Sequence, residues 1–166
     1  ITYARDLLPR HHIAVRDGSP TGFGHRPAAV AWPQSTEDVV RLVRLCRREG
    51  IKIVPFGAGS GVCGGVAPDA STLVLDLKRM KRWRSFAPSE GFVEVEAGAL
   101  GIRLEEDLQA EGHTVGHFPS SILCSTVGGW VAARGAGQCS GRYGKIEDMV
   151  AALEVVDGRG EVATLS

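Results

Sequence analysis

The spacing of apolar positions changes repeatedly along the chain, and each change marks an element. Val39, Leu42, Val43 and Leu45 recur at helical spacing after Ser35-Thr-Glu-Asp38, which supplies an N-cap, and Gly50 ends that helix. The apolar runs Ala28-Ala-Val-Ala-Trp32 and Ile51-Lys-Ile-Val54 on either side predict two parallel strands. Thr72-Leu-Val-Leu-Asp-Leu77 predicts a third, so the first half reads as a small βαββ unit. Phe92-Val-Glu-Val-Glu96 alternates like a half-buried strand, and Gly98 turns it into a helix from Ile102 to Glu111, stopped by Gly112. From Thr114 to Gly144 the chain is rich in Gly, Ser and Pro but poor in charge, which suits backbone packed against a ligand. Inside that stretch the small residues of Thr126 to Gly137 predict a helix whose amino end, near Ser125 and Thr126, presents unpaired N–H groups to an anion. Ala152 to Leu165 reads as two strands about Asp157-Gly158, a hairpin signal. Residues up to about His25 lack sustained periodicity and read as an arm laid across the domain.

Composition narrows the class. The chain has 166 residues, 43% of them apolar, and its nineteen basic and nineteen acidic residues cancel. That balance fits a soluble folded domain and gives no broad positive field for nucleic acid. The arginine-rich stretches Arg41 to Arg48 and Lys78 to Arg84 are read as solvated faces. No apolar run is long enough for a membrane span and the first residues lack signal-peptide order, so a cytoplasmic location is expected. Cys46, Cys63, Cys124 and Cys139 form no C-x-x-C pair, so no metal site is assigned, and most are expected to be reduced, packed small residues.

Chemistry concentrates in Val54-Pro-Phe-Gly-Ala-Gly-Ser-Gly-Val-Cys-Gly-Gly65. Between Gly57 and Gly61 the side chains are so small that successive backbone N–H groups can face one anion, and a pyrophosphate is the natural occupant. Gly59-x-Gly61-x-x-Gly64, with Asp76 downstream, also matches a dinucleotide-binding fingerprint, but that motif requires a helix to begin in the glycine run. Only Gly65 to Ser71 separates this loop from the next strand, so no crossover helix fits. His113 and His117 lie beside the second glycine-rich stretch, and both are read as hydrogen-bonded structural residues.

Two phosphate-friendly segments in one α+β chain resemble the FAD-binding, PCMH-type domain of the vanillyl-alcohol oxidase family. The resemblance is carried by Trp32-Pro-x-Ser-Thr-Glu-Asp-Val-Val40, the Pro55 to Gly65 loop, Val95-Glu-Ala-Gly98, Gly116 to Trp130 and Arg142 to Val150. Ser125 to Val131 and Tyr143 to Asp148 look most like the alkyldihydroxyacetonephosphate synthase branch, and Gly57-Ala-Gly-Ser-Gly61 like the glycolate and D-lactate dehydrogenase branch. The implied fold is α+β with two subdomains, the βαββ unit and a larger mixed or antiparallel sheet with helices. Its implied divisions are an arm over 1–26, a first FAD-binding subdomain over 27–86 and a second over 87–166, cut before its last strand and before a substrate domain.

The same resemblance implies non-covalent FAD. Pro55 would be among the cofactor-binding residues, and the pyrophosphate would lie on Gly57, Ala58, Gly59, Ser60, Gly61 and Val62, faced by Pro119, Ser120, Ser121, Ser125 and Thr126. Gly128 and Gly129 would also bind the cofactor, Ala133, Arg134, Gly135 and Ala136 would line the groove, and Ile146 and Glu147 would fall near the adenine. Covalent attachment in this family uses a His in the glycine loop or a Cys before the second proline, where this chain has Ser60 and Phe118. The implied activity is hydride transfer from a hydroxyl-bearing small molecule, a 2-hydroxy acid, to flavin N5, with catalytic groups in the substrate domain. Alternatives are a flavin-dependent alkyl-transferring synthase and a flavin-binding module without catalysis. A cut sheet edge would also leave room for a second copy to pair as a homodimer, and would leave the isolated chain with weak flavin affinity and no turnover.

Overall fold

The computed structural model describes Tyr3 and residues 26–166, so the arm expected before His25 lies outside the described residues except at Tyr3. Strand β1 (Ala29–Ala31) leads into helix α1 (Thr36–Arg48). The Ser35 hydroxyl accepts the Asp38 amide at 3.2 Å, as the sequence reading of the cap requires; acidic Glu37 and Asp38 in the first turn and basic Arg47 and Arg48 in the last also suit the helix dipole. Strands β2 (Lys52–Phe56) and β3 (Thr72–Asp76) follow, and the parallel sheet runs β1-β3-β2. β3 occupies the centre because Thr72, Val74, Leu75 and Asp76 are all buried, whereas the flanking strands keep exposed positions. No helix lies between β2 and β3, as the spacing required.

After a 3₁₀ turn (Leu77–Arg79) come β4 (Trp83–Ala87) and β5 (Phe92–Val95), an antiparallel pair with an irregularity between Trp83 and Ser85. β4 was not foreseen, because its stretch was read as a solvated basic face. That reading missed that Lys78 and Arg82 hold buried carboxylates, although the Arg82 side chain itself stays exposed. Arg82 donates to Glu96 Oε1 through Nε at 3.0 Å and Nη2 at 2.8 Å, and its amide donates to Oε2 at 2.8 Å. Burial pushes the Glu96 pKa up, but these donors outweigh it and hold the group below the usual carboxylate value.

Helix α2 (Gly101–Ala110) buries Leu104, Glu105 and Leu108. The short helices α3 (Val127–Ala132), α4 (Ser140–Tyr143) and α5 (Ile146–Met149) follow, and β6 (Leu153–Val156) pairs antiparallel with β7 (Val162–Leu165). The antiparallel character of the second half is present, with its strands in two separate pairs. The last hairpin turns through residues 157–161 rather than through Asp157-Gly158 alone: the Asp157 amide donates to the Glu161 carbonyl at 2.9 Å, and Gly160 takes φ +76°. No described helix is long and apolar enough to cross a membrane.

Candidate functional site

The glycine loop leaves β2 at Phe56, whose ring is buried. A Cβ on Gly57 would overlap Thr126 Oγ1, so the absence of a side chain lets the two glycine-rich segments touch. Gly59 has φ +68°, and a Cβ there would stand 2.8 Å from the Phe56 ring, so both backbone angle and space require glycine. The amides of residues 58–63 donate to no acceptor among the described residues. Native chains pair most backbone N–H groups, so a run of open ones is a ready anion cradle.

Behind the loop stands Asp76, fully buried at the end of β3. Its carboxylate accepts Tyr3 Oη at 2.7 Å, Trp32 Nε1 at 3.1 Å, the Lys78 amide at 3.0 Å and Lys78 Nζ at 2.7 Å. Burial raises its pKa, but Lys78 and Tyr3 more than compensate, and it stays ionised well below neutral pH. Lys78 Nζ also donates to the Gly57 carbonyl at 2.9 Å and lies 4.6 Å from the centre of the Phe56 ring. The sequence offered Asp76 as a ribose ligand of the rejected fingerprint; the structure makes it the anchor of the loop.

The second segment is fixed from its start by Glu105, a buried carboxylate that accepts Thr114 Oγ1 at 2.6 Å, the Val115 amide at 3.1 Å and Gln109 Nε2 at 2.8 Å. The chain then turns at Pro119, whose carbonyl accepts the Ile122 amide at 2.9 Å, and reaches buried Ser125 and Thr126. Ser125 Oγ accepts Trp130 Nε1 at 2.7 Å, and Thr126 Oγ1 caps α3 by accepting the Gly129 amide at 3.3 Å. Ser120 is exposed and Ser121 half-buried, and no hydrogen bond joins either to the glycine loop.

The amino end of α3 departs from expectation. Its first amides are already used: Val127 donates to the Ala99 carbonyl at 2.9 Å, Gly128 to Ala97 at 2.8 Å and Gly129 to Thr126. Thus Gly128 and Gly129 serve close packing and capping, and α3 offers no open first turn to an anion. Past α3, Arg134 adopts φ +48°, the one non-glycine residue with positive φ among the described residues, and its Nε donates to Glu147 at 2.6 Å. The Ile146 amide donates to the Gly135 carbonyl at 3.1 Å, which brings residues 146–147 beside 133–136. Hydrogen bonds from Arg134 and Lys145 pull the Glu147 pKa down to about 2.

The two histidines differ. His113 Nδ1 lies 2.7 Å from the Glu111 carbonyl, as a structural histidine should. His117 is buried with neither ring nitrogen hydrogen-bonded, 4.8 Å edge-to-face from the Trp130 ring and next to Gly135. The expected hydrogen-bonded role fails there, and burial lowers its pKa, favouring the neutral ring. An orphaned polar group at this depth is rare in a native core. Sequence reasoning also passed over Lys78 and Trp130; a charged residue two positions past a buried strand-end acid was the available signal for Lys78. Of the four free cysteines only Cys46 is buried, while Cys63 and Cys124 are exposed, against the expectation that most would be packed. No cluster of metal-ligating side chains occurs among the described residues.

The open amides, the small-residue contact with Thr126 and the buried hydroxyls suit a nucleotide cofactor with a pyrophosphate. A family model described as "FAD binding domain" matches residues 27–166. The chain is 38% identical over 143 residues to alkyldihydroxyacetonephosphate synthase from Trypanosoma brucei brucei, covering 83% of this chain and 23% of that protein. It is 30% identical over 146 residues to glycolate oxidase subunit GlcD from Bacillus subtilis, covering 88% of this chain and 31% of that one. A solved alkyldihydroxyacetonephosphate synthase superposes with a TM-score of 0.84 at 32% identity, over 98% of this chain and 29% of that structure. The chain therefore spans between 23% and 31% of the length of these relatives.

Proposed function

Because the chain belongs to the FAD-binding domain family, we propose that it is the cofactor-holding part of an FAD-dependent oxidoreductase acting on a hydroxyl-bearing small molecule, a 2-hydroxy acid. The observation that carries the cofactor assignment is the row of open amides over residues 58–63, next to the contact of Gly57 with Thr126. Those amides would take the pyrophosphate, with Ser60 adding its hydroxyl. Ser125, oriented by Trp130, and Thr126 would face it from the other side. Residues 133–136 and 146–147 form a joined wall that would line the groove. Bound FAD would supply the redox-active ring; this chain contributes binding, orientation and a charge environment. Neither a histidine in the glycine loop nor a cysteine before Pro119 is present, so the flavin would be held without a covalent bond.

A second reading, an alkyl-transferring synthase using the same flavin, is favoured by the 38% identity to the trypanosomal synthase. One experiment separates them. The purified natural-length protein, yellow with FAD, is mixed without oxygen with D-lactate, glycolate or an acyl-dihydroxyacetone phosphate. Bleaching by a hydroxy acid supports the oxidoreductase; no bleaching, with a spectral change caused by the acyl-dihydroxyacetone phosphate alone, supports the synthase. Acid precipitation should leave the flavin in solution, and flavin that stays with the pellet overturns the non-covalent assignment. Protein that takes up no added FAD overturns the cofactor assignment itself.

A further inference from the structure

The geometry points to Lys78 as a positioning residue for the cofactor loop: by holding the Gly57 carbonyl, it sets the direction of the first amide of the anion cradle. This rests on the FAD reading above. Lys78 Nζ bridges the Gly57 carbonyl at 2.9 Å and the Asp76 carboxylate at 2.7 Å. In a trans peptide the C=O and N–H point in opposite directions, and no cis peptide occurs among the described residues. Fixing the Gly57 carbonyl on Lys78 therefore turns the Ala58 N–H away from the Lys78 ammonium, and that N–H has no acceptor among the described residues. Glycine at 57 and at 59, with φ +68° at the latter, leaves this stretch otherwise free to flip its peptides. A loop that must meet an anion needs that freedom removed before binding, and preorganisation of this kind appears as affinity. Asp76 in turn is fixed by Tyr3 and Trp32, so the ammonium has one place to sit.

The test must separate this role from simple neutralisation of a buried acid. Lys78→Met leaves Asp76 charged and short of a partner, and lowers thermal stability. The double variant Lys78→Met with Asp76→Asn removes both charges, keeps an amide oxygen for Tyr3 and Trp32, and should melt closer to the unchanged protein. If Lys78 positions the cradle, FAD affinity in the double variant stays about tenfold weaker despite the recovered melting temperature, the size expected for losing a charge-assisted hydrogen bond. FAD affinity within about twofold of the unchanged protein overturns the proposal and reduces Lys78 to a counter-ion. An unchanged protein that binds no FAD overturns the cofactor reading and this inference with it.

Discussion

The glycine loop and the start of α3 meet at Gly57 and Thr126, yet they handle their amides in opposite ways. The loop over 58–63 leaves its N–H groups open, while α3 turns its first amides onto Ala97, Ala99 and Thr126. Backbone held open in one place must be held rigid by its surroundings, and here Asp76, Lys78 and the Phe56 ring do so. Backbone already satisfied can instead approach closely, as it does where Thr126 meets Gly57. On the proposed function, the anion's main electrostatic support would come from the loop, and its fit and orientation from the second segment.

The largest expected effect comes from breaking the loop. Gly59→Val meets both a positive φ and the Phe56 ring, and should weaken FAD binding by at least about a hundredfold while far-UV circular dichroism stays near that of the parent. Unchanged affinity in a flavin titration would remove the cradle assignment. On the other side, Thr126→Val keeps the shape but deletes the cap on Gly129; a loss of about 1 kcal/mol in urea-measured stability is expected, with FAD affinity falling by about tenfold or less. Should Thr126→Val harm FAD binding more than Gly59→Val, the proposed division of labour is reversed.

A subtler probe is pH. Because burial lowers the His117 pKa, the unfolded chain takes up this proton first as pH falls below 6.5, the usual histidine value. The native state should therefore be fully supported by this group above that pH and lose support as pH drops through the folded value. Comparing urea midpoints at pH 7.5 and 5.5, His117→Phe should show a smaller decline than the parent; an equal decline would mean His117 finds a partner in solution. The smallest effect belongs to Glu147→Gln, since its pair with Arg134 is on the surface. FAD affinity should stay within about twofold in a titration, because the side chain is spent on this solvent-exposed pair; a larger loss would give the Glu147 side chain a direct part in binding.

Much of this was legible in the residues, where a local rule suffices. Ser35 caps α1 through its own side chain, and the interval from Gly65 to Ser71 excludes a crossover helix by length alone. The failures share a cause. The amino end of α3 looks open by helix geometry, but carbonyls from Ala97 and Ala99 close it through a bridge that places Leu100 beside Thr126. Lys78 and Arg82 look like surface charge until the fold buries Asp76 and Glu96 beside them. His117 looks like any loop histidine until Trp130 and Gly135 enclose it without offering a polar atom to either nitrogen. In each case the missing information is a partner brought in by tertiary packing, which no periodicity encodes.

The contacts of the last hairpin also order events in time. Glu154 on β6 accepts the Thr36 hydroxyl at 2.6 Å, 118 residues away, and pairs with Arg84 on β4 at 3.6 Å; Gly160 packs on Arg44 of α1. During synthesis the pairing of β1 and β2 with β3 needs only residues up to Asp76, whereas the contacts on this side of α1 need the hairpin. Until the hairpin arrives, the young chain carries that side of α1 without its partner, a surface open to a chaperone.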